Sequence, residues 1–342
     1  MSKTKVVNTG QYLIWSNILS KVFVLVGSIV LARILFPEDY GYLVIATLFD
    51  GIFNLFSISG FETYYIQKRD ISEEEETELL GTCYWLRVRQ SLILFVLQNL
   101  VGLYFYLYQE QITGYMISIL AFNHLINIVG KPNESYLSKM MDFKPIAISN
   151  FFRDISGAIL KVILAMMGWG PLSFVVGQVV SGIPRSIYLK LSVKVQFKIN
   201  KFHEDRKSII KFARSVVFNT VGAYLTSQAD AAIVASFYPK AQVGIYHFSK
   251  KQAGLPFSFI LGPLNSLIIS FISKLKEVPK ELMKKFDSIG VLINLLIVPF
   301  FIFAFAEITD LITAVFGDKW LNANDIARVF LVYFLFQFIS YP

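Results

Sequence analysis

The sequence predicts an all-α polytopic membrane protein with two pseudo-symmetric helical lobes, six spans in the first and an incomplete second, about ten spans in total. Three observations support this fold class. Of the 342 residues, 55% are hydrophobic and only 16% are charged, against roughly 25% charged in soluble domains. Apolar stretches of about 18 or more residues recur, each able to cross the hydrocarbon core as a helix. A proline and glycine turn near residue 37 recurs near residue 239.

Apolar segments define the spans in chain order. The first has Lys3 and Lys5 ahead of it and no small-residue cleavage site after it, so we interpret it as a retained span rather than a signal peptide. Cys83 is the single cysteine, which excludes a disulfide within this sequence and a cysteine-rich metal site. The predicted spans cover residues 11–36, 41–63, 80–108, 112–130, 145–168, 171–189, 208–238, 243–273, 288–306 and 326–342.

The net charge of +8 indicates membrane topology rather than nucleic-acid binding, because the basic residues lie in alternate connections. The other side of the membrane holds only Lys240 and Lys319 among its connections. Basic loops stay in the cytoplasm, so the N-terminus is predicted to be cytoplasmic. All four tryptophans, Trp320 included, fit interfacial anchoring. The basic segments are the N-terminal tail and residues 64–79, 131–144, 190–207 and 274–287.

The acidic run EEEETE at residues 73–78 belongs to one of these cytoplasmic connections. We interpret it as a solvated helix face, with docking of a partner as the alternative.

The turn motif indicates an internal repeat. Pro37 and Gly41 recur as Pro239 and Gly244 with six predicted spans between them, so both copies run in the same direction through the membrane. Such parallel repeats occur in transporters. The predicted lobes are residues 1–207 and 208–342. The second lobe would need six spans and shows four, so we expect an incomplete chain.

Charged residues within spans are the candidates for function, because a charge at mid-bilayer costs about 2.5–3.5 kcal/mol on insertion scales. Arg87, Arg89 and Arg185 lie nearer to span ends and are interpreted as interfacial anchors, since long side chains reach the interface. The fifth span has a polar stripe at helical spacing. Shorter polar stripes follow the first span, with Lys21, and the seventh, with Asp230. The stripe of the fifth span comprises Asn150, Asp154, Gly157 and Lys161.

Two interpretations of these stripes stay open. Polar and small residues can hold helices together, or they can line a water-filled cavity with net positive charge. The cavity is favoured, and an anionic cargo would fit it, since guanidinium groups donate paired hydrogen bonds to phosphate. The candidate cargo-binding residues are Lys21, Arg33, Arg153, Lys161 and Lys250.

Asp230 and Asp154 are the candidates for coupling transport to a proton or sodium gradient. For Asp230, neutralisation of Lys250 is the alternative. Pro256 and Pro263 predict a bent eighth span. No catalytic or metal-binding residue is nominated, because the three histidines lie far apart and no catalytic motif is present.

Three segments carry a family resemblance. SNILSKVFVLVGSIVLARILFPEDYGYLVIATLF (16–49), SQADAAIVASFYPKAQVGIYHFSKK (227–251) and ITAVFGDKWLNANDIARVF (312–330) resemble Wzx-type O-antigen and polysaccharide flippases, within the superfamily that includes multidrug and toxic compound extrusion proteins. The resemblance covers essentially the whole chain.

The resemblance implies two lobes of six helices around a cavity that opens alternately to either side. It implies a cargo of undecaprenyl-pyrophosphate-type lipid-linked oligosaccharide, such as an O-antigen or lipopolysaccharide unit, flipped across the bacterial inner membrane. Membrane lipid and polysaccharide assembly proteins would be the partners. The alternatives are a drug or small-molecule cation antiporter of the same superfamily, and a membrane-embedded glycan polymerase or acyltransferase.

Overall fold

The computed structural model describes residues 3–57, 60–201, 203–255, 295 and 297–339, with side chains described from residue 19 onward. Regular structure in this part of the chain is helical. The helices are α1 (Lys3–Ile34), α2 (Pro37–Ser57), α3 (Gly60–Gln67), α4 (Glu73–Tyr108), α5 (Gln111–Ile126), α6 (Lys131–Lys139), α7 (Lys144–Met166), α8 (Leu172–Ser192), α9 (Arg206–Phe237), α10 (Lys240–Ala253), α11 (Ile297–Ala306), α12 (Ile308–Phe316), the 3₁₀ helix η1 (Asp318–Ala323) and α13 (Asn324–Ile339).

These helices form two compact units, the first Met1–Leu35 with Tyr42–Phe237 and the second Phe36–Gly41 with Tyr238–Pro342. In the first unit α4 packs on α5, α8 packs on α5 and α7, and α1 packs on α7. In the second unit α10 packs on α13 and η1. The predicted lobe boundary between residues 207 and 208 concerns the internal repeat and stays a prediction.

Several helices are long and apolar enough to cross a membrane, which confirms an all-helical, multi-pass membrane protein. These are Pro37–Gln67 (α2 with α3), Glu73–Tyr108 (α4) and Leu172–Ser192 (α8). Two bent helix pairs, α5 with α6 at 55° and α11 with α12 at 79°, bring the number among the described residues to as many as five. Leucines on α4, such as Leu100 and Leu107, are more than half exposed.

One predicted span is interrupted by charged residues, and another lies mostly outside the described residues. Helix α7 has the length of a span, but Arg153, Asp154 and Lys161 interrupt its apolar sequence. The predicted eighth span, 243–273, lies mostly outside the described residues, and its Pro256 and Pro263 lie entirely outside them.

The two turns of the sequence repeat contact each other directly. A Cβ added to Gly41 would overlap the backbone carbonyl of Lys240, and one added to Gly244 would overlap the carbonyl of Pro37. Each glycine therefore lets one helix start pass against the other without a side chain between them. The repeat is thus a structural contact of the second unit as well as a similarity of sequence.

Trp320 forms the core of the second unit beside this contact. Its ring stacks on Phe248 with centroids 3.8 Å apart and meets Tyr40 edge-on at 5.0 Å. The Trp320 side chain is fully buried. The interfacial-anchor prediction for Trp320 was therefore wrong, because the aromatic neighbours on α2 and α10 enclose it.

The acidic run at the start of α4 is paired rather than simply solvated. Glu76 lies 3.1 Å from Lys139 and accepts a hydrogen bond of 2.9 Å from the Tyr65 hydroxyl. Glu78 accepts hydrogen bonds from Lys198 at 2.8 Å and from Asn200 at 2.9 Å. For these two glutamates the solvated-face prediction was wrong, because the chain's own basic segments cover them.

The glycine contact predicts a stability difference between two alanine variants. Gly244→Ala should lower the melting temperature of the purified protein, because the added methyl group would overlap the Pro37 carbonyl and overpacking costs about 1–3 kcal/mol. Gly222→Ala is the matched control, a helical glycine of α9 with open space around the added Cβ. Alanine there should be neutral or stabilising. Equal melting temperatures for the two variants would contradict the close approach.

Candidate functional site

A polar cavity of about 410 Å³ lies within the first unit. Helices α2, α4, α5, α6, α7 and α8 all contribute to its wall. Such a volume is in the range of sites that hold small ligands. The lining residues are Asn54, Ser57, Arg87, Ser91, His124, Asn127, Ile128, Lys131, Glu134, Arg153 and Arg185.

Arg87 of α4 forms a buried, two-point ion pair with Glu62 of α3. Its Nε lies 2.7 Å from Oε1 of Glu62 and its Nη2 lies 2.6 Å from Oε2. The third guanidinium nitrogen donates to the Ser57 carbonyl at 2.6 Å and to Gln90 at 3.0 Å. Both charged side chains are less than a tenth exposed. The anchor prediction for Arg87 was wrong, because Glu62 on a neighbouring helix makes burial favourable.

A second group of charges joins α6, α7 and α8. Arg185 donates to Glu134 at 2.7 Å and to Asn150 at 3.0 Å. Lys131 donates to the other carboxylate oxygen of Glu134 at 3.3 Å. Arg185 is buried, so its interpretation as an interfacial anchor was also wrong. Glu134 thus holds two cations in place at the cavity wall.

The cavity wall carries an excess of positive charge. Arg87, Lys131, Arg153 and Arg185 line it, and Glu134 is the acid among the lining residues. Glu62, which is not a lining residue, offsets the charge of Arg87. Because a concave wall with net positive charge raises the local concentration of anions, the geometry suits an anionic group.

Of the five predicted cargo-binding residues, Arg153 lines this cavity. Its side chain is 44% exposed and lies 3.4 Å from Asp154. An ion pair this exposed contributes little to the stability of the fold. Lys161 lies farther along α7, where its side chain meets Gly177 of α8. Neither contact tests a role in cargo binding, so those roles stay predictions.

The polar stripe of α7 faces α8 over part of its length. Asn150 accepts a hydrogen bond from Arg185, and an added Cβ on Gly157 would lie 3.1 Å from the Ser181 hydroxyl. These contacts match the helix-packing interpretation for the stripe. The same helix also presents Arg153, which is outside the stripe, to the cavity, and the cavity interpretation of the stripe stays a prediction.

The remaining predicted residues are not among those that line this cavity. Lys21 is half-buried on α1 and Arg33 is exposed at its end. Asp230 is half-buried near the end of α9, and Lys250 is half-buried on α10 in the second unit. Within the described residues, no group of three or more His, Cys, Asp or Glu side chains is placed to hold a metal ion.

Sequence reasoning missed Arg87, Lys131, Arg185 and His124 as cavity residues. One available signal was Glu62, an acid well inside a predicted span that requires a cationic partner.

A family model described as "Polysaccharide biosynthesis protein" matches residues 30–325. The chain is 22% identical to an uncharacterized membrane protein in the cps region of Klebsiella pneumoniae, over 90% of this chain and 64% of that protein. It is 22% identical to the teichuronic acid biosynthesis protein TuaB of Bacillus subtilis, over 83% of this chain and 58% of that protein. It is 18% identical to the lipopolysaccharide biosynthesis protein WzxC of Escherichia coli, over 96% of this chain and 67% of that protein.

Among solved structures, the fold is similar to the lipid II flippase MurJ in an inward closed conformation. The TM-score is 0.77 at 15% identity, covering 96% of this chain and 73% of that chain. The curated relatives named above are longer than this chain, which spans about two thirds of their length.

The buried ion pair predicts a large stability effect at one of two neighbouring arginines. Arg87→Ala should lower the melting temperature sharply, because it leaves Glu62 buried without its partner, at a cost of about 3–5 kcal/mol. Arg89→Ala is the control, since Arg89 is exposed on the same helix and surface changes stay within about 0.5 kcal/mol. Replacing both charges, Arg87→Met with Glu62→Leu, should recover much of the loss. Indistinguishable unfolding of Arg87→Ala and Arg89→Ala would rule out a stabilising pair.

Proposed function

This chain belongs to the polysaccharide biosynthesis protein family, and from that membership we propose that it moves a lipid-linked oligosaccharide across the bacterial cytoplasmic membrane. The cargo would be an undecaprenyl-pyrophosphate-type lipid carrying a repeat unit of a surface polysaccharide. The role is transport without chemistry on the cargo. In this proposal the N-terminus faces the cytoplasm and polysaccharide assembly proteins are partners.

The observation that carries the proposal is the cationic cavity of the first unit. A pyrophosphate group has several anionic oxygens, and guanidinium groups donate two parallel hydrogen bonds to such oxygens. Arg87 and Arg185 are already held by Glu62 and Glu134, so their positions are fixed before cargo arrives. Arg153 is the less constrained cation at the wall, with an exposed side chain, and is the group best placed to follow a moving phosphate.

The sign of the charge favours this cargo over a cationic drug. Four basic side chains and one acid line the cavity, and this excess of positive charge repels a cation. Transport then requires two states of the protein that bind the cargo with different affinities and open to different sides.

Removing the candidate cargo-binding cations of α7 should slow cargo movement. In liposomes containing a fluorescent polyprenyl-pyrophosphate disaccharide, Arg153→Ala should reduce flipping about tenfold, the effect of losing about 1.5 kcal/mol from a charge-assisted hydrogen bond. The double variant with Lys161→Ala should be slower still. Arg214→Ala, an exposed arginine of α9, is the control and should flip at the wild-type rate. Full activity in the double variant would exclude these two residues from cargo binding.

Coupling to an ion gradient is proposed at Asp230, with Asp154 as the second candidate. Asp230→Asn should make flipping insensitive to an imposed proton or sodium gradient, because an amide cannot take up a proton or offer a charged ligand. Asp325→Asn, at a fully exposed acid on α13, is the control. Gradient-dependent flipping that persists in Asp230→Asn would exclude Asp230 as the coupling residue.

A further inference from the structure

A buried chain of polar side chains leads from the cavity into the first unit. His124 of α5, Gln98 of α4 and Asp50 of α2 are each 5% exposed or less. His124 Nε2 lies 2.8 Å from Gln98 Oε1, and Gln98 Nε2 lies 3.1 Å from Asp50 Oδ1. Neither ion pair of the cavity wall includes Asp50 or His124.

The hydrogen bonds determine which histidine nitrogen is protonated. Gln98 donates from Nε2 to Asp50 and to the Ile117 carbonyl, both at 3.1 Å. Since both of these partners are acceptors, the amide oxygen faces His124 and must accept from its Nε2–H. Nδ1 of His124, 2.9 Å from the Ser57 hydroxyl, is left as the nitrogen that can take up a proton.

This nitrogen is on the cavity side of the ring. Ser57 and His124 both line the cavity. Asp50 is fixed by a 2.8 Å hydrogen bond from Asn54, which also lines the cavity. A proton arriving from the cavity therefore reaches Nδ1 without crossing the apolar core. At the other end of the chain of hydrogen bonds, Asp50 accepts from the Gln98 amide.

We propose that the Asp50–Gln98–His124 chain is a proton-binding site, and that His124 takes up a proton at Nδ1 when an anion occupies the cavity. The proton comes from a hydronium ion of the solvent that enters the cavity: its O–H bond breaks as the Nδ1–H bond forms, and a water molecule is left. The ring becomes imidazolium, and its new N–H donates to the Ser57 hydroxyl, which accepts at its oxygen. The proposal rests on the proposed function only in assuming that the cavity binds anions.

The surrounding charges give the direction of this coupling. Four neighbouring cations oppose a positive His124, and Asp50, Glu62 and Glu134 favour it. Helix α9 contributes Tyr224, whose hydroxyl donates to the Leu48 carbonyl at 2.8 Å, two residues before Asp50. Helix α8 contributes the apolar side chains of Val175 and Val179, which pack in one cluster with residues of α5. The cations are Arg87, Lys131, Arg153 and Arg185.

An anion in the cavity offsets these cations and so favours the protonated ring. By thermodynamic reciprocity, protonation must strengthen anion binding by the same factor. The site therefore makes cargo affinity depend on proton availability, at a position distinct from Asp230.

Sulfate is the probe, because it does not titrate between about pH 5 and 8. Its affinity for the purified full chain is obtained at each pH from the sulfate dependence of the melting temperature. Wild type should bind sulfate more tightly as the pH falls, by up to about tenfold per pH unit for one proton taken up. His124→Gln, which keeps an amide donor toward Gln98, should lose that part of the slope. His247→Gln, the same change on α10, should keep it.

Asp50 can also bind a proton, so the readout is the slope lost in His124→Gln and not the total slope. An unchanged slope in His124→Gln would overturn the proposal while leaving the anion cavity intact. Absence of sulfate binding by wild type at every pH would overturn both the cavity function and the coupling.

A measurement on the wild-type protein keeps the proposal testable if His124→Gln fails to fold. With ¹⁵N-labelled histidine, sulfate at fixed pH should move one ring-nitrogen signal toward the imidazolium position. Histidine signals that do not respond to bound sulfate would contradict the proposal.

Discussion

The structure of the first unit depends on the buried ion pair between Arg87 and Glu62. Two charges with little access to water are stable only when each is fully paired, so the pair fixes α3 against α4. The same guanidinium donates to the carbonyl of Ser57 at the end of α2 and lies over the ring of Phe61 at 5.7 Å. One side chain therefore connects three helices and forms the cavity wall. Arg185 and Glu134 repeat this arrangement between α8 and α6.

The basic connections serve structure as well as topology. The segment after α8 runs onto the start of α4, where the amide of Lys198 donates to the Thr77 carbonyl at 3.1 Å and the Thr82 hydroxyl donates to the Asn200 carbonyl at 2.8 Å. Gly81 allows this approach, since a Cβ there would overlap the Lys198 carbonyl. Lys68 and Asp205 pair at 3.0 Å, and the hydrogen bond that Lys68 donates to the Asp205 carboxylate raises the pKa of Lys68. Charged residues of these loops also hold them in place, since Lys198 pairs with Glu78 of α4 and Lys68 pairs with Asp205.

The sequence was sufficient for the membrane class, the helical fold and the polar stripe of α7, because composition and helical periodicity are local properties. It was insufficient for the cavity, whose contacts join residues far apart in the chain. Arg87 and Glu62 are separated by 25 positions, Arg185 and Glu134 by 51, and His124 and Ser57 by 67. The positions of Arg87 and Arg185 within their spans suggested interfacial anchoring. Both are buried instead, because each pairs with a glutamate on another helix. Trp320 was misassigned for a similar reason, since its aromatic neighbours come from α2 and α10.

The cation excess of the cavity is proposed to recognise a pyrophosphate group. Equilibrium binding of radiolabelled inorganic pyrophosphate to the purified protein measures this recognition. Binding should be saturable, should weaken with rising salt, should be displaced by a short-chain polyprenyl pyrophosphate and should be unaffected by a neutral oligosaccharide. Absence of saturable binding, or equal displacement by the neutral oligosaccharide, would contradict it.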